Sequence, residues 1–572
     1  MTRIALVFLT ALASGHAQTW SQWGGNARHT GSTRTAGQFP LRLLGAIPFD
    51  PFAPLAQADA GGNLLAHYPS PLLDGRDVFM MVKGGQYVPC NPPGVMPCGS
   101  AAWNQQIWTL SAYRWIDGVL TWRWNVVSDW KPVPDAGNLN RWEPVFHAAL
   151  SDRFVYVPAS NGEVLQIARE DGTPVRRIKP FERSSENRFV AGPITYDPAS
   201  LNIYYNVLEL NPGDPWGFGG SDIPGSWLVA ASSDGEARTA SYAFLIPRAP
   251  VDCHTTFNNS QLPWPPSPDA LPPIVPCLSQ RAGLNVAPAV GPDGTIYSVS
   301  RPHQRAASRY GYLVALNSDL SLKWAASLRD RLKDGCGVGI PIGGAGGCRT
   351  GTAANGVDPA TNLPPAGAVI DVSTSSPIVA PDGSVLYGAY SRYNYAKGHL
   401  FHFDSNGDFL NSFDFGWDTT PAVWEHDGTY SIILKENNYA GIGSYCDDGR
   451  TCPPHANGPY YITQLDANLK VEWRYKSINE QQCERSDDGS VFCEPAPPGG
   501  FEWCLNAPAV DVLGNVYANS EDGNVYLIAQ GGKELSRTFL RLALGAAYTP
   551  VAIGYDGAIY TQNFGVLFIM GN

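Results

Sequence analysis

One pattern of apolar and polar positions recurs down the chain: a small residue, Pro, alternating apolar residues, Asp-Gly, then a second alternating run rich in Tyr and Val. It is plainest in Ala287-PAVGPDGTIYSVS, Ser376-PIVAPDGSVLYGAY, Thr420-PAVWEHDGTYSIIL, Ala507-PAVDVLGNVYANS and Thr549-PVAIGYDGAIYTQ, and looser copies begin near Pro69, Pro144 and Pro193. A period of two puts successive side chains on opposite faces, so each arm predicts a strand. The Asp-Gly pair predicts a two-residue hairpin turn with positive φ at both positions. A second hairpin follows the first, as in Gly311 to Leu328, His399 to Gly416 and Tyr460 to Ser477. Each unit therefore holds four antiparallel strands.

Eight such units, starting near residues 67, 142, 190, 285, 373, 419, 506 and 548, predict an all-β, eight-bladed propeller. The last unit stops after three strands, at Val566 to Asn572, and the apolar segment Leu41 to Phe49 is expected to return as its fourth. That splice joins the ends of the ring and removes the edges an open array would expose. One propeller domain is expected over residues 18–572.

Lettering the strands A to D from the axis outward puts the A–B and C–D turns on one rim and the B–C and D–A connections on the other. The first rim is nearly bare. The second receives every large insertion: Lys83 to Gln105, Asn211 to Ser226, Pro247 to Leu284, Arg329 to Val369, Asn438 to Pro459 and Ile478 to Trp503. Long ordered loops in compact domains are more often functional than ornamental, so this rim is the expected site. The chain enters strand A from the same rim, which places His67, Tyr68, Arg141, Trp142, Glu143, Asn285, Asp371, Ser375, Trp417, Asp418, Cys504, Asn506 and Tyr548 around the axial opening.

The repeat, together with Trp20-SQWGGNARHTG and with Trp324 and Trp473 in last strands, resembles the pyrroloquinoline-quinone (PQQ)-like propeller superfamily over nearly the whole chain. That superfamily includes eight-bladed quinoprotein alcohol dehydrogenases and also non-enzymatic propellers, so the resemblance implies a fold more strongly than an activity. In the dehydrogenases a Glu and an Asn hold calcium, an Asp acts as base and a Trp stacks on the quinone. The resemblance would make Glu143 and Asn285 calcium ligands, Asp418 or Asp371 the base, and Trp417, Glu143, Asn285, Asn506, His67 and Arg141 the cofactor surround. Two features depart from the enzymes: the sequence has no Cys-Cys pair and no Cys-x-x-Cys-His haem site.

Composition narrows the function classes further. Gly and Pro, at 60 and 48 of 572 residues, suit short strands and tight turns. A net charge of −12, with no basic run interleaved with aromatics, argues against a nucleic-acid partner. Residues 1–17 read as a secretory signal, with Arg3, an apolar run from Ile4 to Ala13 and small residues before Gln18, and no later stretch is apolar enough to span a bilayer. The mature chain is expected in a periplasm or outside the cell, as a monomer. There, disulfides persist. Ten of the eleven cysteines fall into neighbouring couples, Cys90 with Cys98, Cys253 with Cys277, Cys336 with Cys348, Cys446 with Cys452 and Cys483 with Cys493, leaving Cys504 as an odd buried thiol.

Other motifs read as structure. Asp404, Asn406 and Asp408 lack the Gly and Glu of a calcium loop and sit on a hairpin turn. Gly343 to Gly347 lacks the Lys-Ser/Thr of a phosphate loop, and no nucleophile elbow or His-Glu-x-x-His helix is present. The expectation is an exported binding or scaffolding propeller that grips a protein, peptide or glycan with disulfide-pinned loops. The alternative is a calcium- and PQQ-dependent dehydrogenase of alcohols or sugars. A propeller lyase or hydrolase would use paired carboxylates such as Glu143 with Asp418.

Overall fold

Alternating Val, Ile, Tyr and Ala residues between Gly- and Asp-rich turns give short strands whose two faces both have to be covered. The computed structural model describes residues 19–62, 64, 66–89, 103, 105–132, 142–262, 264–332, 335, 356–390, 398–415, 418–438, 458–496, 499–545 and 548–572. Residues 1–17, Cys90, Cys98, Arg141, Cys336, Gly343 to Gly347, Cys348, Trp417, Cys446 and Cys452 lie outside the described residues. The described strands form eight antiparallel sheets of four or five strands and two separate two-stranded hairpins. This is an eight-bladed propeller. The innermost strands begin at Leu72, Ala149, Arg188, Gln280, Ile378, Ala422, Ala509 and Ala552. Among the described residues, no helix is long and apolar enough to cross a membrane.

The ring closes as the sequence predicts. Arg42–Pro48 pairs antiparallel with Val566–Gly571, from Arg42 opposite Gly571 to Pro48 opposite Val566, and so supplies strand D of the eighth blade. Neighbouring blades bury large apolar groups between them, and tryptophans on strand D lock the outer part of that interface. Trp324 of blade four packs on Gly407 in the next blade's C–D turn and donates from Nε1 to the Ser405 carbonyl at 2.9 Å. A Cβ at Gly407 would lie 2.6 Å from the indole, so only glycine permits the contact. Trp124 over Gly172 repeats the arrangement between blades one and two.

The turns depart from the two-residue expectation at most repeats. Asp427-Gly428 does carry positive φ at both positions, 46° and 76°. Gly291 to Thr295 instead forms a longer loop in which only Gly294 is left-handed and Asp293 accepts the Thr295 N–H at 3.0 Å. Pro292 has a φ compatible with this loop but is not needed for it, since Gly554 to Ala558 closes the same loop with Tyr555 in the proline position. The loop also forms at Asp382-Gly383, where Asp382 accepts the Ser384 N–H at 2.9 Å. Asp404, as expected, caps a turn by accepting N–H groups of Asn406 and Asp408, both at 2.9 Å.

The segment after Thr19 crosses the trimmed end of the axis and touches every blade. Thr19–Trp20 adds an innermost strand to blade one, and Ser21 accepts from Leu150 N–H of blade two. Gln22 accepts from Tyr196 N–H of blade three, while the carbonyls of Ala27, Arg28, Thr30 and Gly31 accept from Val290, Val379, Val423 and Val510 of blades four to seven. Gln38 N–H donates to Gly557 of blade eight. His29 and His147 are fully buried in this plug, and burial lowers their pKa values from 6.5 to about 4 and about 3.

Both imidazoles are thus neutral in the folded protein, whereas the unfolded chain binds protons below about pH 6.5. Their stabilising contribution is complete above pH 6.5 and is lost as pH falls toward 4. For His29 alone the loss is about 3 kcal/mol. Denaturation midpoints measured from pH 7 to pH 4 should fall over this window, and His29→Gln should flatten the slope.

Candidate functional site

Short loops leading into the inner strands converge on the elaborated end of the axis, and their polar side chains are buried there. Asp418 and Asn285 stand in left-handed backbone, at φ 50° and 64°, a conformation Asp and Asn tolerate better than most residues. Asp418 receives a ring of donors from one tripeptide: Ser373 Oγ at 2.6 Å, Thr374 N at 3.0 Å, and Ser375 N and Oγ both at 2.9 Å. Asn506 accepts from Thr420 N at 2.7 Å and donates to Thr374 Oγ1. Asn285 Oδ1 accepts from Val145 N at 2.9 Å. These bonds tie blade five to six, six to seven, five to seven and two to four around the axis.

His67 packs against two aromatic rings that also touch each other, with centroids 4.4 Å from Trp142 and 5.1 Å from Tyr548. Its Nε2 is 2.8 Å from the Val372 carbonyl and donates to it, which leaves Nδ1 as the free lone pair, 3.5 Å from Thr374 Oγ1 and from Asp418 Oδ2. Burial lowers its pKa, against the pull of Asp418. Asp371 accepts from Arg281 at 2.8 and 2.6 Å and from Arg301 at 3.0 Å. Burial opposes its charge, but the two guanidinium groups hold its pKa well below the usual carboxylate range. A carboxylate held that way is a weak base.

Glu143 stands apart from this network, in contact with Lys83, which also donates to Asp50 at 2.9 Å. Burial pushes the pKa of Glu143 up and Lys83 pulls it down. Calcium takes roughly six to eight oxygen ligands. Glu143 and Asn285 do not fit that role here, since an ammonium occupies the first and a backbone N–H the second.

Sequence reasoning missed Lys435. It follows the buried run Ile432 to Leu434 in the strand Thr429–Glu436 and is itself fully buried. Its Nζ has no hydrogen-bond partner and lies 3.9 Å from the centroid of Tyr548. Burial lowers its pKa to about 8, a fall limited by Asp418 and by the cluster of Cys504, Glu502 and Glu521. Ligand atoms of those three lie within 4.8 Å of one another, and burial and Glu502 push Glu521 up to about 8. The legible signal was a Lys directly after the apolar run Ile432 to Leu434. Arg281, Arg301 and Thr374 were also missed, because each meets its partners only when adjoining strands, connections and blades pack together.

The resulting cluster combines an imidazole tilted against two aromatic rings, a buried amine and several carboxylates, most of them engaged with one another. No protein-family model matches the chain, and no curated protein matches it in sequence. Among solved structures it is similar to a europium-containing methanol dehydrogenase (TM-score 0.50, 10% identity, covering 96% of this chain and 89% of that one). It is also similar to the quinohemoprotein alcohol dehydrogenase from Comamonas testosteroni (TM-score 0.51, 11% identity, 98% and 82% covered) and to BamB from Moraxella catarrhalis (TM-score 0.42, 10% identity, 93% and 99% covered). The chain has the PQQ-like propeller fold.

Two substitutions separate structural from strained charges. Asp371→Asn leaves two buried arginines without their anion and should lower stability by about 3–5 kcal/mol. Lys435→Met should raise it by about 3 kcal/mol at pH 7, because the depressed pKa of the lysine is a stability deficit that is full below pH 8 and disappears as pH rises through the unfolded value near 10.5. Urea denaturation at pH 7 and pH 10 measures both.

Proposed function

We propose that the protein is an exported binding or scaffolding propeller whose elaborated rim grips a protein or peptide, with a glycan as the other ligand class of the same surface. The observation that carries this reading is the set of large apolar side chains exposed on inserted segments of that rim. Phe218, Phe244, Val251, Ile274, Ile478 and Phe492 are 59% to 83% exposed. Burying one such side chain is worth about 1.5–3 kcal/mol, and they fall in two groups, on blade three with its connection to blade four and on the connection between blades six and seven.

Two of the inserts are preorganised. The hairpin of Asp252–His254 and Ile274–Pro276 is pinned by Cys253–Cys277, and that of Gln481–Arg485 and Val491–Pro495 by Cys483–Cys493. A pinned loop loses less conformational freedom on binding. Disulfides also suit an oxidising compartment, in keeping with export directed by residues 1–17.

The dehydrogenase reading is favoured by the buried amine of Lys435 beside an aromatic wall. Against it stand the committed oxygens of Glu143 and Asn285 and the ion-paired Asp371. Purified protein supplied with PQQ, calcium and an alcohol panel should leave a redox dye unreduced; turnover that is lost in Asp418→Asn would favour the enzyme.

The binding reading predicts that a Phe244→Asp, Phe492→Asp double variant recovers crosslinked partners from envelope extract at least about tenfold less than the parent, for a loss of about two apolar anchors. Leu513→Asp, on the trimmed rim, should recover them normally. Equal recovery by all three proteins would defeat the proposal.

A further inference from the structure

We propose that a cleft on the elaborated rim of blade four is a separate ligand site, built to take a small organic carboxylate. The cleft has a volume of about 380 Å³, within the range of small-molecule sites, and its walls include His254, Arg309, Tyr310, Arg329 and Leu363. Three inserted stretches meet there. Arg309 and Tyr310 come from the connection between strands B and C of blade four, Arg329 and Leu363 from the connection onward to blade five, and His254 from the hairpin pinned by Cys253–Cys277. None of these groups belongs to the axial cluster, and the inference stands independently of the docking reading.

The chemistry of the walls points to an anion. Arg309 is more than nine-tenths buried and lies 3.0 Å from the buried carboxylate of Asp358, yet neither of its terminal nitrogens makes a hydrogen bond of good geometry. Arg329 lays its guanidinium over the Tyr310 ring, 4.3 Å from the centroid, and its Nε has no hydrogen-bond partner. No carboxylate among the described residues forms an ion pair with it. The Tyr310 hydroxyl accepts from His254 N–H at 2.9 Å, which fixes the ring beneath Arg329.

Charge counting then sets the class of ligand. Among the described residues two guanidinium groups meet one buried carboxylate here, which leaves one positive charge over inside the cleft. Asp330 also borders it, but is exposed at the mouth, where water and salt screen it. One net charge matches a monoanion, and a planar guanidinium matches the two oxygens of a carboxylate. Tyr310 and Leu363 offer an apolar surface for the rest of the molecule. A phosphate dianion would bring a second charge that nothing here neutralises.

Ligand-observed saturation-transfer NMR on the full mature chain tests this with benzoate, its neutral isostere benzamide, and inorganic phosphate. Benzoate should bind, with benzamide and phosphate each at least about tenfold weaker, a difference of about 1.4 kcal/mol. Arg329→Gln should weaken benzoate at least about tenfold with an unchanged melting temperature, since the side chain is half-buried and unpaired. Pro364→Trp, which obstructs the cleft without touching either charge, should do the same. Absence of benzoate binding at about 10 mM, equal binding of benzamide, tighter binding of phosphate, or benzoate binding that survives both variants would each overturn the proposal.

Discussion

Closure of the ring is the constraint on which everything else rests. Each blade has two apolar faces and can cover them only with two neighbours, so an open stack would leave a terminal blade wet on one side and a strand edge unpaired. Arg42–Pro48 removes that defect by pairing with Val566–Gly571, tying one end of the chain to the other within a single sheet. The preceding segment extends the same solution inward. From Trp20 to Gln38 it satisfies backbone groups of successive inner strands and seals the trimmed end of the axis, with the neutral imidazoles of His29 and His147 buried inside.

With one end sealed, the polar groups at the other end have a structural task. Eight inner strands approach one axis and bring buried N–H groups and carboxylates that water cannot reach, and such groups must find partners. Asp418 holds the Ser373 to Ser375 loop, Asn506 links Thr374 with Thr420, and Asp371 draws in Arg281 and Arg301. Residues that could have gripped a ligand are largely spent on joining blades. Among the described residues Lys435 is an exception, a buried amine that meets an aromatic face and no hydrogen-bond acceptor.

The rims divide the remaining labour. Trimmed-rim turns stay short because they only reverse the chain, as at Asp427-Gly428 and Gly291 to Thr295. Connections on the other rim are free to grow, and they carry both the exposed aromatic and aliphatic side chains and the basic cleft at Arg309 and Arg329. Variation placed there leaves the repeating core untouched, which is how one fold serves unrelated functions.

By itself, the sequence determined the architecture, because it is written in local periodicities. Alternation set the strands, eight copies set the blade number, and the missing fourth strand of the last copy pointed to Leu41 to Phe49. The Cys253–Cys277 and Cys483–Cys493 couples were legible for the same reason, since each closes a local hairpin. Turn details were less so, because an Asp side chain that accepts the backbone N–H two residues on closes a longer loop than the Asp-Gly pair predicts. What only the tertiary structure decided is which side chains are already committed. Glu143 beside Lys83, Asp371 between two arginines, Lys435 beneath Tyr548 and the Arg309 cleft all join residues from different connections or blades. Their contacts arise when blades and connections pack together, and no periodicity along the chain encodes those distances.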